Sequence, residues 1–96
     1  MLDMNKTLTG KALLTNTVGL HARPSVKLTQ LAKSFQSSIQ LALSEAGPWI
    51  DAKSPVKVMR ARAPKGSMLY FAINGPDDEA ALAAILTLIE DRFGEE

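Results

Sequence analysis

The chain has 96 residues, enough for one modest hydrophobic core and too few for two. Eleven basic side chains against ten acidic ones leave a formal charge of +1, so a general affinity for polyanions is not expected. With no cysteine and one histidine, a disulfide framework, a thiol nucleophile and a Cys/His metal cluster are all excluded, and a reducing cytoplasm is the expected compartment.

The opening "MLDMNKTLTG" lacks the long apolar run of a signal peptide. The apolar stretch at 80–89 is too short and alanine-rich to span a bilayer, so no membrane insertion is expected. In chain order, "KALLT" at 11–15 reads as a strand with Ala12 and Leu14 on one face. Leu28, Leu31, Ala32 and Phe35 recur at i, i+3, i+4, i+7 and predict a helix over about 23–35. Val26 lies off that stripe, sharing the outward side with Lys27, Gln30 and Lys33. "SSIQLAL" at 37–43 alternates, which places Ile39, Leu41 and Leu43 inward, and "WID" continues as a short strand.

Ser54 followed by Pro55 is the pattern of an N-cap and a first-turn proline, and predicts a short helix over about 55–61. "SMLYFAIN" at 67–74 alternates again with Leu69, Phe71 and Ile73 inward. The segment 77–93 carries a second helical stripe of Ala81, Leu82, Ile85, Leu88 and Ile89, with Asp77 as its expected cap and Gly94 as its stop. The order β-α-β-β-α-β-α packs most simply as an α+β two-layer fold, with the helices on one face of an open sheet.

Chemistry concentrates in "NTVGLHARPSVKL" at 16–28. Gly19 permits a positive φ or a close approach by another group. Pro24 is tolerated in a helix beginning near Ala22 or Arg23, whose first amides then point back toward His21 as an anion site. Arg23 adds a forked donor suited to phosphate oxygens. A neutral imidazole can attack phosphorus without a dedicated base, and nothing marks a serine and an acid as partners for a triad.

The string "GLHARPS" at 19–25 resembles the active-site signature of HPr, the histidine phosphocarrier family of the bacterial phosphoenolpyruvate-dependent sugar phosphotransferase system. The resemblance extends through "KSPVKVM" at 53–59 and "KGSMLYFAINGPDDEAA" at 65–81, and so over nearly the whole chain. It implies one open-faced β-sandwich domain, a four-stranded antiparallel sheet covered on one face by three helices. About 8–93 would be folded, with tails at 1–7 and 94–96. It implies transient phosphorylation of Nδ1 of His21 assisted by Arg23, in a carrier that needs no cofactor or metal. Enzyme I would be the donor and EIIA-type domains the acceptors. The implied partner surface is Ala22, Val26, Lys27, Gln30, Pro55, Val56, Lys57 and Met59 on a monomer.

Ser54 falls where many members carry a regulatory serine modified by HPr kinase. Pro55 stands where the family usually has a larger apolar side chain, and an N-cap role accounts for Ser54 by itself. Two other functions compete with sugar phosphotransfer. One is a nitrogen-related branch in which phosphorylation state is the output. The other is nucleic-acid binding through the basic run Lys53, Lys57, Arg60, Arg62 and Lys65. Near-neutral charge and the placement of the adjacent Tyr70 and Phe71 on opposite faces count against the latter.

Overall fold

A computed structural model describes residues 7–94. Its elements are β1 (Leu8–Leu13), α1 (Ala22–Lys33), β2 (Ser38–Ala42), β3 (Ile50–Asp51), α2 (Pro55–Arg60), β4 (Met68–Asn74) and α3 (Asp78–Glu90), followed by a 3-10 turn at Arg92–Gly94. The strands form one antiparallel sheet in the order β1-β4-β2-β3. β4 is central, and its alternation is the clearest of the four strands. Leu69, Phe71 and Ile73 are fully buried, while Met68, Tyr70 and Ala72 are half-buried on the opposite face.

The helices close the core against Ile39 and Leu41 of β2 and the three inward residues of β4, and every one of these is fully buried. Burying each such side chain contributes about 1.5–3 kcal/mol. From α1 come Leu28 and Ala32, with Leu31 and, just past the end of the helix, Phe35 packed at the margin; α3 supplies Ala81, Ile85 and Ile89. No helix among the described residues is long and apolar enough to cross a membrane.

Three expectations need correction. Leu43 is 43% exposed, because β2 ends at Ala42, which is itself buried, and the chain then turns through a loop with a cis Gly47–Pro48 bond. The first strand runs three residues earlier than its apolar pattern suggested, so Leu14 is buried just beyond its end. Asp77 occupies the cap position of α3 and makes no side-chain cap hydrogen bond. Its carboxylate instead accepts from the backbone amides of Gln36 and Ser37 at 2.9 Å and from the Ser37 hydroxyl.

Ser37 Oγ in turn accepts from the Asp77 amide, so the clamp is reciprocal. Gly75 makes the approach feasible: a Cβ there would lie 2.5 Å from Ser37 Cα. The Ser37 hydroxyl, then the Gln36 amide, hold the Asp77 carboxyl down from 3.8 to about 2. A depressed carboxyl stabilises the fold fully above its unfolded value and loses that contribution as pH falls through its folded value. Asp77→Asn is therefore expected to lower the melting temperature at neutral pH and to flatten its fall between pH 3.8 and about 2, read from thermal melts over that range. Equal slopes for both proteins would assign acid unfolding to other carboxylates.

The expected tails at 1–7 and 94–96 fall largely outside the described residues. Within them, Thr7 Oγ1 accepts from Asn74 Nδ2, and Gly94 closes the final turn with a positive φ of 69°.

Candidate functional site

His21 is the N-cap of α1, with extended backbone at φ −81° and ψ −169°. Its side chain is exposed and makes no cap hydrogen bond among the described residues. The helical ladder begins with the Ser25 amide donating to the His21 carbonyl at 3.0 Å. The preceding first-turn amides have no intrahelical acceptor, and no acidic residue occupies that turn to compensate the positive end of the dipole. Ser25 is structural: fully buried, it donates through Oγ to the Leu20 carbonyl and sets the angle at which the chain enters the helix. Arg23 is exposed on the first turn beside His21.

The loop before His21 is fixed from two sides. Asn16, buried, donates through Nδ2 to the Gly19 carbonyl at 2.8 Å, and the Gly19 amide returns to the Asn16 carbonyl. On the other side the Leu20 amide donates to the Ala63 carbonyl at 2.8 Å. Gly19 has φ 67°, and a Cβ there would stand 2.5 Å from that same Ala63 oxygen. Both the backbone conformation and the close approach require glycine. The neighbour that comes close is thus protein backbone, and it pins the histidine loop to the segment after α2.

These contacts leave an open cavity of about 520 Å³ with His21 on its wall, together with Val18, Leu20, Met59, Arg62 and Pro64. Its rim is apolar and exposed: Val18 is 58% and Met59 39% accessible. Such a surface suits transient contact with several partners in turn.

A family model for the HPr component phosphorylation site of the phosphotransferase system matches residues 8–91. The chain is 48% identical over 82 residues to the phosphocarrier protein HPr of Cupriavidus necator, across 85% of this chain and 90% of that protein. The chain belongs to the HPr family. It is also 34% identical over 83 residues to the phosphocarrier protein NPr of Escherichia coli, across 86% of this chain and 91% of that protein. A crystal structure of an HPr from Thermoanaerobacter tengcongensis superposes with a TM-score of 0.85 at 32% identity, across 93% of this chain and 98% of that one. As a member of this family, the protein is a phosphocarrier of the phosphotransferase system and not a catalytic enzyme.

The residues expected to meet partners spread over two helices. Ala22, Val26 and Gln30 are exposed on α1, and Val56, Lys57 and Met59 on α2, with Pro55 half-buried at its start. His21, Ala22 and Met59 share the cavity, whereas Lys57 and Arg60 line a second hollow with Trp49 and Pro48 beneath the β2–β3 hairpin. Lys27 is not simply outward: it is half-buried, and its Nζ donates to the Phe93 carbonyl at 2.7 Å. Lys53, counted in the basic run, similarly donates to the Phe35 carbonyl at 2.9 Å. Ser54 Oγ accepts from the Lys57 amide at 3.3 Å, the cap anticipated from Ser-Pro. Val18, Arg62 and Pro64 were not anticipated in the site. Val18, an apolar residue isolated between Thr17 and Gly19, was the one local signal available.

Proposed function

We propose that this HPr-family chain accepts a phosphoryl group from enzyme I on Nδ1 of His21 and donates it to EIIA-type components, in the cytoplasm and in support of sugar transport. The observation that carries this reading is the exposed imidazole, uncommitted to the cap, standing at the amide end of α1. The Nδ1 lone pair attacks phosphorus and forms the N–P bond as the bond to the donor breaks, its electron pair leaving with the donor atom. Nε2 keeps its proton, so the ring carries positive charge beside the incoming anion. First-turn amides and the helix dipole stabilise the phosphoryl oxygens by about 0.3–1 kcal/mol from the dipole alone. Arg23 adds charge-assisted donors. The reverse displacement discharges the group to the next carrier.

The partner surface in this reading comprises Ala22, Val26, Lys27, Gln30, Pro55, Val56, Lys57 and Met59, on a monomer. Ser54 serves α2 as its cap, and modification by HPr kinase is not required of it. The likeness to NPr supports a second reading, a nitrogen-related branch in which the phosphorylated state is the output.

One experiment addresses both. Incubated with phosphoenolpyruvate and enzyme I, the protein is expected to gain one phosphoryl group by intact mass at neutral pH and to lose it after acid, because protonation of a phosphoramidate nitrogen releases phosphate. Discharge to a sugar-specific EIIA domain faster than to a nitrogen-branch IIA protein favours the first reading, and the reverse favours the second. A phosphoryl group that survives acid overturns the histidine chemistry.

A further inference from the structure

We propose that Arg62 is a second guanidinium contact for the phosphoryl group, reaching it across the cavity from the segment after α2. The proposal rests on phosphorylation of His21 as put forward above. Arg62 follows the C-cap Ala61 and lies in the left-handed region at φ 51°. That position at a helix C-terminus strongly favours glycine, since a Cβ there crowds the neighbouring carbonyl. A long, charged side chain kept at such a position is a strained feature, and strain of this kind collects at functional sites.

The placement gives the strain a purpose. The Arg62 amide donates to the Met59 carbonyl at 3.1 Å, closing α2, and the next residue, Ala63, accepts the Leu20 amide at 2.8 Å. Arg62 and His21 therefore flank one hydrogen bond: one precedes its acceptor, the other follows its donor. Both line the same cavity. Arg62 is exposed, and no described residue pairs with its guanidinium, in contrast to Lys27 of α1 and Lys53 of the basic run, whose ammonium groups donate to carbonyls. Val18, Met59 and Pro64 give the cavity apolar walls, where a forked cation is the one group suited to phosphoryl oxygens opposite the helix end. Arg23 would then hold the anion from the α1 side and Arg62 from the α2 side.

The test uses wild type, Arg62→Gly and Arg62→Lys, charged with phosphoenolpyruvate and enzyme I. Glycine relieves the left-handed backbone, so Arg62→Gly is expected to melt at the same temperature or higher. Its single-turnover charging is expected to slow by about tenfold, the effect of one charge-assisted hydrogen bond. The phosphorus NMR resonance of its phosphohistidine is expected to move. Arg62→Lys keeps the charge without the fork and should recover part of the rate. If wild type charges normally and Arg62→Gly matches it in rate and in resonance, the role of Arg62 is overturned while that of His21 stands. A wild-type protein that takes up no phosphoryl group overturns both.

Discussion

His21→Ala is expected to abolish acid-labile phosphorylation completely while leaving the melting temperature within about 2–4 °C of wild type. The loss is total because the chain has one histidine and no cysteine, so no other side chain offers a comparable nucleophile for a labile phosphoryl group. Stability is spared because the ring is exposed and makes no cap hydrogen bond, whereas the backbone contacts that fix this loop run through Asn16, Leu20 and Ser25. Removing an exposed side chain of this kind shifts stability by about 0.5 kcal/mol or less. Intact mass after incubation with phosphoenolpyruvate and enzyme I, beside a thermal melt, checks both parts. Phosphate retained by His21→Ala would place the acceptor elsewhere, and a large drop in melting temperature would make His21 a structural cap.

The same separation between chemistry and framework explains which parts of the fold were legible in the sequence. β4 carries a full alternation of apolar and less apolar residues, so its inward face could be assigned from the pattern, and Leu69, Phe71 and Ile73 are fully buried. α2 was announced by Ser54-Pro55, a local signal that depends on no distant contact. Leu43 misled because alternation says which face a residue takes while the strand lasts, and nothing in "LALSEAG" marks the end of pairing at Ala42. Asp77 misled for another reason. Its position at the start of α3 invited a cap, yet Gln36 and Ser37, distant in sequence, offer it three donors, a tertiary alternative that outcompetes the local one.

In the site, His21 and the exposure of Val26 were readable because motif and helical phase are local. Val26 is 41% exposed, as its place off the buried stripe required. The commitment of Lys27 to the Phe93 carbonyl was not readable, since it joins α1 to the turn after α3, where Arg92 and Phe93 both adopt positive φ without being glycine. Arg62 was hidden for the same reason. In sequence it is one more member of a basic run, and only the left-handed turn after α2, docked through Ala63 on Leu20, carries it to the wall of the histidine cavity.

Exposure of Val26 leads to the second large effect: Val26→Glu is expected to weaken binding to enzyme I and to an EIIA domain by ~10–100-fold each, or roughly 1.4–2.8 kcal/mol, with the fold intact. No core cavity forms, because the side chain lies outside the buried set of Leu28, Thr29 and Ala32. Glutamate also has a higher helix propensity than β-branched valine, so the melt should not fall. At the interface the balance reverses. Val26 offers a small exposed apolar contact on the helix that His21 caps, and a carboxylate there must be desolvated against the partner while repelling its acidic rim. Lys57→Glu, on the exposed side of α2, should act in the same direction. Titration of each variant with enzyme I and with EIIA, beside a thermal melt, is the measurement. Equal loss for donor and acceptor means that one surface serves both in turn, as a shuttle requires, whereas loss with a single partner means that the two dock on different faces and the shared surface must be abandoned.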